Sequence, residues 1–467
     1  MKVLQSVTPT PEQLTIIARQ QPGTILIRGA AGSGKTTTIL LRLRSLVKSW
    51  LNRRERLGLE DPVRILGLTY NRTLRGYIQE LASQQVIGAT GLNLDISTFS
   101  KWAMNLLGHP PIAGDQECRE KIRLLGSRIS LTPHFLAGEV EYVMGRFLPS
   151  DLPSYLTCRR DGRGASPRVD QNMRQQILNE VILPYNAWKE DSGRLDWNDL
   201  AVGLTTRKAI PCYDIIIVDE AQDFSANQVR AIVNQLADDH SLTFVLDAVQ
   251  RIYPRGFTWK EAGLIIRPNE IFQLKKNYRN TVEIARFALP LLEGMDVEDD
   301  GTLPDFKSCE RHGPVPQVLK GKFSKQMEYI LTYLRDKVDL SQESVAFLLP
   351  QGGRWFSEIE KRLRNERMLY IQITRESDWP QGEENIALCT LHSAKGLEFD
   401  HVIIPGLNQE VTLHGTDEGD DQLNMLRRLL AMGIGRARKS VVLGYKPAEA
   451  STLIGFLQPA TFKEVDL

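Results

Sequence analysis

The sequence predicts an α/β protein of two or three domains, with helices layered on mostly parallel sheets and a mainly helical insertion in the first half. Three observations carry this expectation. At 467 residues the chain exceeds what one hydrophobic core holds, since cores stop growing near ~250–300 residues. Short apolar runs bounded by polar or glycine-rich stretches recur at Thr24–Arg28, Arg64–Thr69, Asp214–Val218, Leu242–Leu246, Ser344–Leu349, His401–Pro405 and Ser440–Tyr445, with helical patterns between several of them. Most of the chemically suggestive residues follow these runs directly, as expected where ligands bind beyond the carboxyl ends of parallel strands.

Between about Trp102 and Asp196 the pattern changes to helical segments broken by Pro110-Pro111, Pro133, Pro149 and Pro153 and by a basic loop at Arg159–Gly164. The expected division is therefore 1–102 with 196–275, a helical insertion at 103–195, and a second α/β unit at 276–467. Glu293–Pro316, rich in Asp, Gly and Pro, reads as a surface connection inside the last unit.

Composition excludes several classes. The 58 Lys+Arg against 57 Asp+Glu leave a net charge of +1, so a site for a polyanion has to be a local groove. Cys118, Cys158, Cys212, Cys309 and Cys389 form no C-x-x-C pair, which argues against a zinc ribbon, an iron–sulfur cluster or a disulfide framework. The start lacks the apolar core of a signal peptide, and no run approaches the ~18 apolar residues of a membrane span. A cytoplasmic protein without membrane contact is expected.

The first chemical motif is Gly29-Ala30-Ala31-Gly32-Ser33-Gly34-Lys35-Thr36, between the run Thr24–Arg28 and a helical segment from Thr37 to Trp50. Glycines let the backbone curl round a phosphate chain, and the helix start offers unpaired N–H groups. Lys35 brings charge to the terminal phosphates, and the Thr36 hydroxyl is suited to Mg²⁺. The second is Ile215-Ile216-Ile217-Val218-Asp219-Glu220, an apolar strand that delivers two adjacent carboxylates. Asp219 is suited to hold Mg²⁺ through water, and Glu220 to orient and deprotonate the attacking water. Hydrolysis also needs cations on the equatorial oxygens of the transferred phosphoryl group, for which Arg279 and Arg436 are the candidates.

Taken together, these motifs resemble those of the UvrD/Rep-type superfamily 1 helicases, in family order from Gln13 to about Tyr445. The resemblance implies two RecA-like motor domains that close on ATP and Mg²⁺. Thr10-Pro11-Glu12-Gln13 is similar to the family's adenine-reading segment, implying a base contact for Gln13. Val245–Tyr253 resembles the motif in which Gln250 would sense the γ-phosphate, with Leu246 where the family usually has Gly. Asn277-Tyr278-Arg279 implies stacking of Tyr278 near the adenine and reach of Arg279 to the γ-phosphate. Thr390–Phe399 matches T-x-H-x-x-K-G-L-E-F, giving Glu398 a ribose contact and His392 a nucleic-acid contact. Arg427-Arg428 through Arg438 makes Arg436 the arginine finger. Within the phosphate loop the nucleotide contacts would come from Gly29, Ala30, Ala31, Gly32, Ser33, Gly34, Lys35, Thr36 and Thr37, the last standing where the family often has Arg.

Single strands are gripped by aromatic faces along a basic path. Leu66–Arg72 and Ile96–Trp102 resemble the family's strand-contacting segments, so Tyr70, Thr98 and Phe99 are the first candidates, with Trp259 a further stacking face. Core packing competes for every one of these rings. About a hundred residues separate Arg279 from Thr390, so the large insertion the family often carries there is expected to be absent or vestigial, and no nuclease module is expected after the last motif. The expectation is thus an ATP-hydrolysing motor moving 3′→5′ on single-stranded DNA or a partial duplex, with RNA left open. The competing expectation is a subunit that senses ATP and nucleic acid for a nuclease or another repair or defence partner.

Overall fold

The computed structural model describes residues 9–29, 32–69, 90–159, 168–247, 257–294, 306–351, 354–374, 382–394, 397–413 and 421–467. Six strands form the first sheet: β1 (Gly23–Gly29), β2 (Val63–Thr69), β3 (Leu92–Thr98), β4 (Tyr213–Val218), β5 (Leu236–Asp247) and β6 (Ile271–Leu274). Their order is β3-β2-β4-β5-β1-β6, and every pairing is parallel. β4 is buried along its whole length, as a central strand covered on both faces must be. The register sets Gly29 beside Asp247 and Leu68 beside Val218, so the phosphate loop and Asp219-Glu220 leave the same edge of the sheet.

The helix that follows the phosphate loop runs from Lys35 to Leu57 and ends at Gly58, whose left-handed φ of 63° closes it. On its inner face Arg42 is fully buried. Its guanidinium donates to the Ile16 carbonyl at 2.8 Å and to Thr243 Oγ1 at 3.1 Å, tying the short helix Pro11–Ile17 to the sheet. Burial pushes the Arg42 guanidinium down to about 10, which leaves it charged at neutral pH.

Among the described residues, helices and short turns fill Phe99–Thr206. Ile112 and Leu195 meet in a parallel bridge, so this stretch leaves and rejoins the sheet layer at one neck. Beyond the neck it has a core of its own, including Leu136, Val140, Tyr155, Ile177 and Tyr185. Before the neck, Phe99, Trp102 and Ala103 instead pack with Leu200 and Leu204 in the core of the first sheet.

A parallel pair, β7 (Asn277–Thr281) with β8 (Cys309–Arg311), leads to the second sheet. Its strands are β9 (Gln317–Lys320), β10 (Val345–Leu349), β11 (Tyr370–Ile373), β12 (Ile386–Thr390), β13 (Phe399–Ile404), β14 (Ala437–Tyr445) and β15 (Lys463–Asp466). They lie in the order β11-β12-β10-β13-β14-β9-β15, again all parallel. One apolar cluster runs from Ile25 and Ile27 of the first sheet through Ile284 and Phe287 to Val402 and Leu443 of the second. The five cysteines are free thiols. Among the described residues no helix is long and apolar enough to cross a membrane.

Candidate nucleotide site

The phosphate loop begins where β1 ends. Gly32 and Gly34 have left-handed φ values of 87° and 80°, backbone that side-chain-bearing residues rarely adopt. Space imposes the same choice: a Cβ on Gly29 would stand 2.2 Å from Ser33 Oγ, and one on Gly34 2.6 Å from Gln13 Nε2. No side chain caps the start of the following helix. Lys35 Nζ donates to the Gly29 carbonyl at 2.8 Å, which folds the ammonium back onto the loop. Thr36 and Thr37 are half-buried in the first helical turn. Ser33 is buried, and its hydroxyl has no partner among the described residues.

Gln13 lies against this loop, 2% exposed, with both ends of its amide committed. Oε1 accepts from Thr10 N at 2.9 Å, completing a capping box, and Nε2 donates to the Gly34 carbonyl at 3.3 Å. Across the sheet edge Asp219 is buried, and its Oδ1 accepts from Glu220 N at 3.0 Å. Glu220 has φ 51° and ψ 43°. Such backbone in a non-glycine residue costs on the order of 1–3 kcal/mol and clusters at functional sites. Gln222 Nε2 donates to the Glu220 carboxylate and fixes its direction.

The second half of the chain reaches the same loop. The N–H groups of Tyr278 and Arg279 both donate to the Gly32 carbonyl, at 2.9 and 3.2 Å. Arg279, 9% exposed, pairs through Nη2 with the Glu398 carboxylate and through Nη1 with the Gly435 carbonyl at 3.4 Å. Burial pushes the Glu398 carboxyl up, but Arg279, with Arg438 and Arg436 beyond it, outweighs that and holds it below the usual carboxylate range. Arg436 is buried just before β14, its Nε against Met432 Sδ at 3.2 Å.

The strand-binding candidates are placed differently. Phe99 is 5% exposed, with its ring 5.5 Å from Trp102 and 6.2 Å from Phe224, centre to centre. Trp259 is 6% exposed and lies 4.9 Å from Phe244. Both rings belong to the core of the first sheet, where neighbouring side chains cover them. Thr98 caps the helix Phe99–Leu107 by accepting from Lys101 N. His392 is exposed in the turn after β12. Ala30, Ala31, Tyr70 and Gln250 lie outside the described residues.

Two functional candidates were not singled out by the sequence: Asn277 and Asn280, both buried between the phosphate loop and the Arg436 segment. Their signal was the spacing of two amides around Tyr278-Arg279. A cavity of about 670 Å³ is bordered by Thr281, Arg311, Tyr333, His401 and Arg438. Arg311, on its wall, is engaged by the carbonyls of Arg279 and Arg438.

A match to the AAA domain family spans residues 13–255, just over half the chain, and one to the UvrD-like helicase C-terminal domain spans 356–447. The chain belongs to the UvrD/Rep-type helicase family. Within that family it is 22% identical over 401 residues to a probable DNA helicase II homolog of Mycoplasma capricolum, covering 75% of this chain and 50% of that protein. It is 25% identical over 329 residues to the ATP-dependent DNA helicase UvrD2 of Mycobacterium bovis, covering 63% and 45%. A shorter stretch of 85 residues is 35% identical to the exonuclease/helicase subunit RexA of Lactococcus lactis, covering 16% and 7%. The chain spans about half the length of the first two relatives.

Proposed function

We propose that the chain is an ATP-driven motor that moves along single-stranded DNA. It does so through two RecA-like halves, with the helical stretch 103–195 as an insertion in the first. The observation that carries this reading is the pair of hydrogen bonds that Tyr278 N and Arg279 N donate to the Gly32 carbonyl. It joins the segment bearing Arg279 to the loop that would hold the phosphates. ATP with magnesium suits the loop: glycines crowd three of its positions, and the buried Ser33 hydroxyl lacks a partner among the described residues. Magnesium, when bound, offsets charge between the terminal phosphates, and Thr36 with Asp219 would hold it.

In this reading Lys35 leaves the Gly29 carbonyl for the terminal phosphates, and Glu220, aimed by Gln222, accepts the proton of the attacking water. Arg279 and Arg436 stabilise charge on the transferred group, while Glu398 keeps Arg279 in place until the cleft closes. Gln250, Tyr278, Gln13 and His392 keep the roles that the family resemblance implies, and Gln13 has to release Gly34 to read a base. Motion is expected to run 3′→5′. The test is displacement of streptavidin from oligonucleotides biotinylated at one end: ATP-dependent release from the 5′ end only supports the reading, and release from neither end contradicts it.

The likeness to RexA, a subunit by its name, favours a second reading, in which the same ATP cycle controls a nuclease partner. Recovery of a stable complex with a nuclease whose cutting changes in the Glu220→Gln variant would select it. An unchanged cutting rate would remove it.

A further inference from the structure

We propose that Asn277 and Asn280 are positioning residues that hold the phosphate loop and the Arg436 segment in register, so that nucleotide at the loop and the arginine of the second sheet act together. This rests on the motor reading of the same cleft. Asn277 is 3% exposed and Asn280 fully buried. Asn277 Oδ1 accepts from Arg279 N at 3.0 Å and from Asn280 N at 3.1 Å, and its Nδ2 donates to Asn280 Oδ1 at 2.9 Å. Asn280 Nδ2 donates in turn to the carbonyls of Gly435, at 3.0 Å, and Ala437, at 2.8 Å, the two residues flanking Arg436. On the other side, a Cβ on Gly32 would stand 2.5 Å from Asn277 Oδ1, so the phosphate loop rests on that amide.

The chain of contacts therefore runs Gly32, Asn277, Asn280, Gly435–Ala437 without a gap. Its chemistry requires an amide at both positions. Asn280 has to accept from one neighbour and donate to two carbonyls, which a carboxylate of the same shape is unable to do. A ligand that moves Gly32 shifts the Asn277 amide, and the buried carbonyls beside Arg436 have to follow or lose their donors.

The test is a double-mutant cycle on the full chain with ATP and single-stranded DNA. Asn280→Ala is expected to lower kcat on the order of 10–100-fold, with affinity for a fluorescent ATP analogue changed less than about threefold. In an Arg436→Ala background the same substitution is expected to cost nothing further in kcat, because the residue acts through Arg436. Equal losses in both backgrounds would overturn the proposal, as would a normal kcat. Asn277→Asp keeps the acceptor for the two N–H groups and loses one donor. It is expected to show a smaller fall that also vanishes beside Arg436→Ala, and it serves if Asn280→Ala does not fold. Hydrogen exchange gives a readout without turnover: either variant should speed exchange in both 29–36 and 433–437, and acceleration on one side alone would refute the relay. A wild type without ATPase activity but with paired acceleration would sink the motor reading and leave the relay standing.

Discussion

Around the phosphate loop, functional candidates are held by backbone bonds and short polar side chains; on the expected strand face, they are held by packing. Lys35 and Arg279 each have a polar partner that a nucleotide phosphate is able to replace, and Glu220 is aimed by Gln222. Phe99 and Trp259 have their faces covered by Trp102, Phe224 and Phe244. A charged or amide group exchanges one hydrogen-bond partner for another at small net cost, whereas a core ring withdrawn for stacking leaves a cavity behind. In the proposed nucleotide cleft partners are therefore exchangeable, whereas the two rings are held by packing.

The largest expected effect probes the cleft side. Glu220→Gln should lower kcat on the order of 10²–10⁴-fold while ATP affinity stays near wild type, and near-normal turnover would remove Glu220 as the base. On the packing side, Phe99→Ala should cost about 3–5 kcal/mol in a denaturant titration and leave the strand affinity of the folded protein unchanged. A loss of strand affinity with intact stability would reverse the comparison.

Smaller is the effect of the ion pair between Arg279 and Glu398. Glu398→Gln should cost about 1.5–3 kcal/mol at neutral pH. The Glu398 carboxyl titrates lower in the folded chain than in the unfolded one, so its stabilisation is complete above the ordinary glutamate value. It is lost as pH falls through the lower folded value. Denaturant midpoints followed from about pH 6 to pH 3 should therefore fall further for wild type than for Glu398→Gln, and parallel curves would contradict this pairing. Smaller still is Trp259→Phe: it removes an Nε1 that has no partner among the described residues but also part of a buried ring, so it should cost on the order of 1–2 kcal/mol. A larger loss would reveal a bond made by that N–H.

Much of the architecture was legible in the sequence because its central strands are continuous apolar runs, as Ile215–Val218 shows, and because glycines mark the loop after β1. The half-exposed β3 alternates polar and apolar residues, and β15 is mostly charged and exposed, so neither stood out from its surroundings. The neck of the helical stretch at Ile112 and Leu195 depends on one tertiary bridge that no local pattern encodes. In the cleft, residue type and spacing made candidates of Lys35 and Asp219, which follow strands, and of Arg279, which lies within β7. The Asn280 contacts with Gly435 and Ala437 span more than 150 residues of sequence and became visible only when the two sheets were brought together. For Phe99 and Trp259 the sequence supplied a ring, and only the fold decided which surface that ring would cover.

The measurement that tests the central claim most directly is the steady-state ATPase rate with and without single-stranded DNA, with Glu220→Gln as the blank. The account predicts turnover that rises strongly on adding the strand and falls to the blank when DNA is withdrawn or Glu220 replaced. Turnover indifferent to DNA, or a wild type indistinguishable from the blank, would contradict a strand-coupled motor.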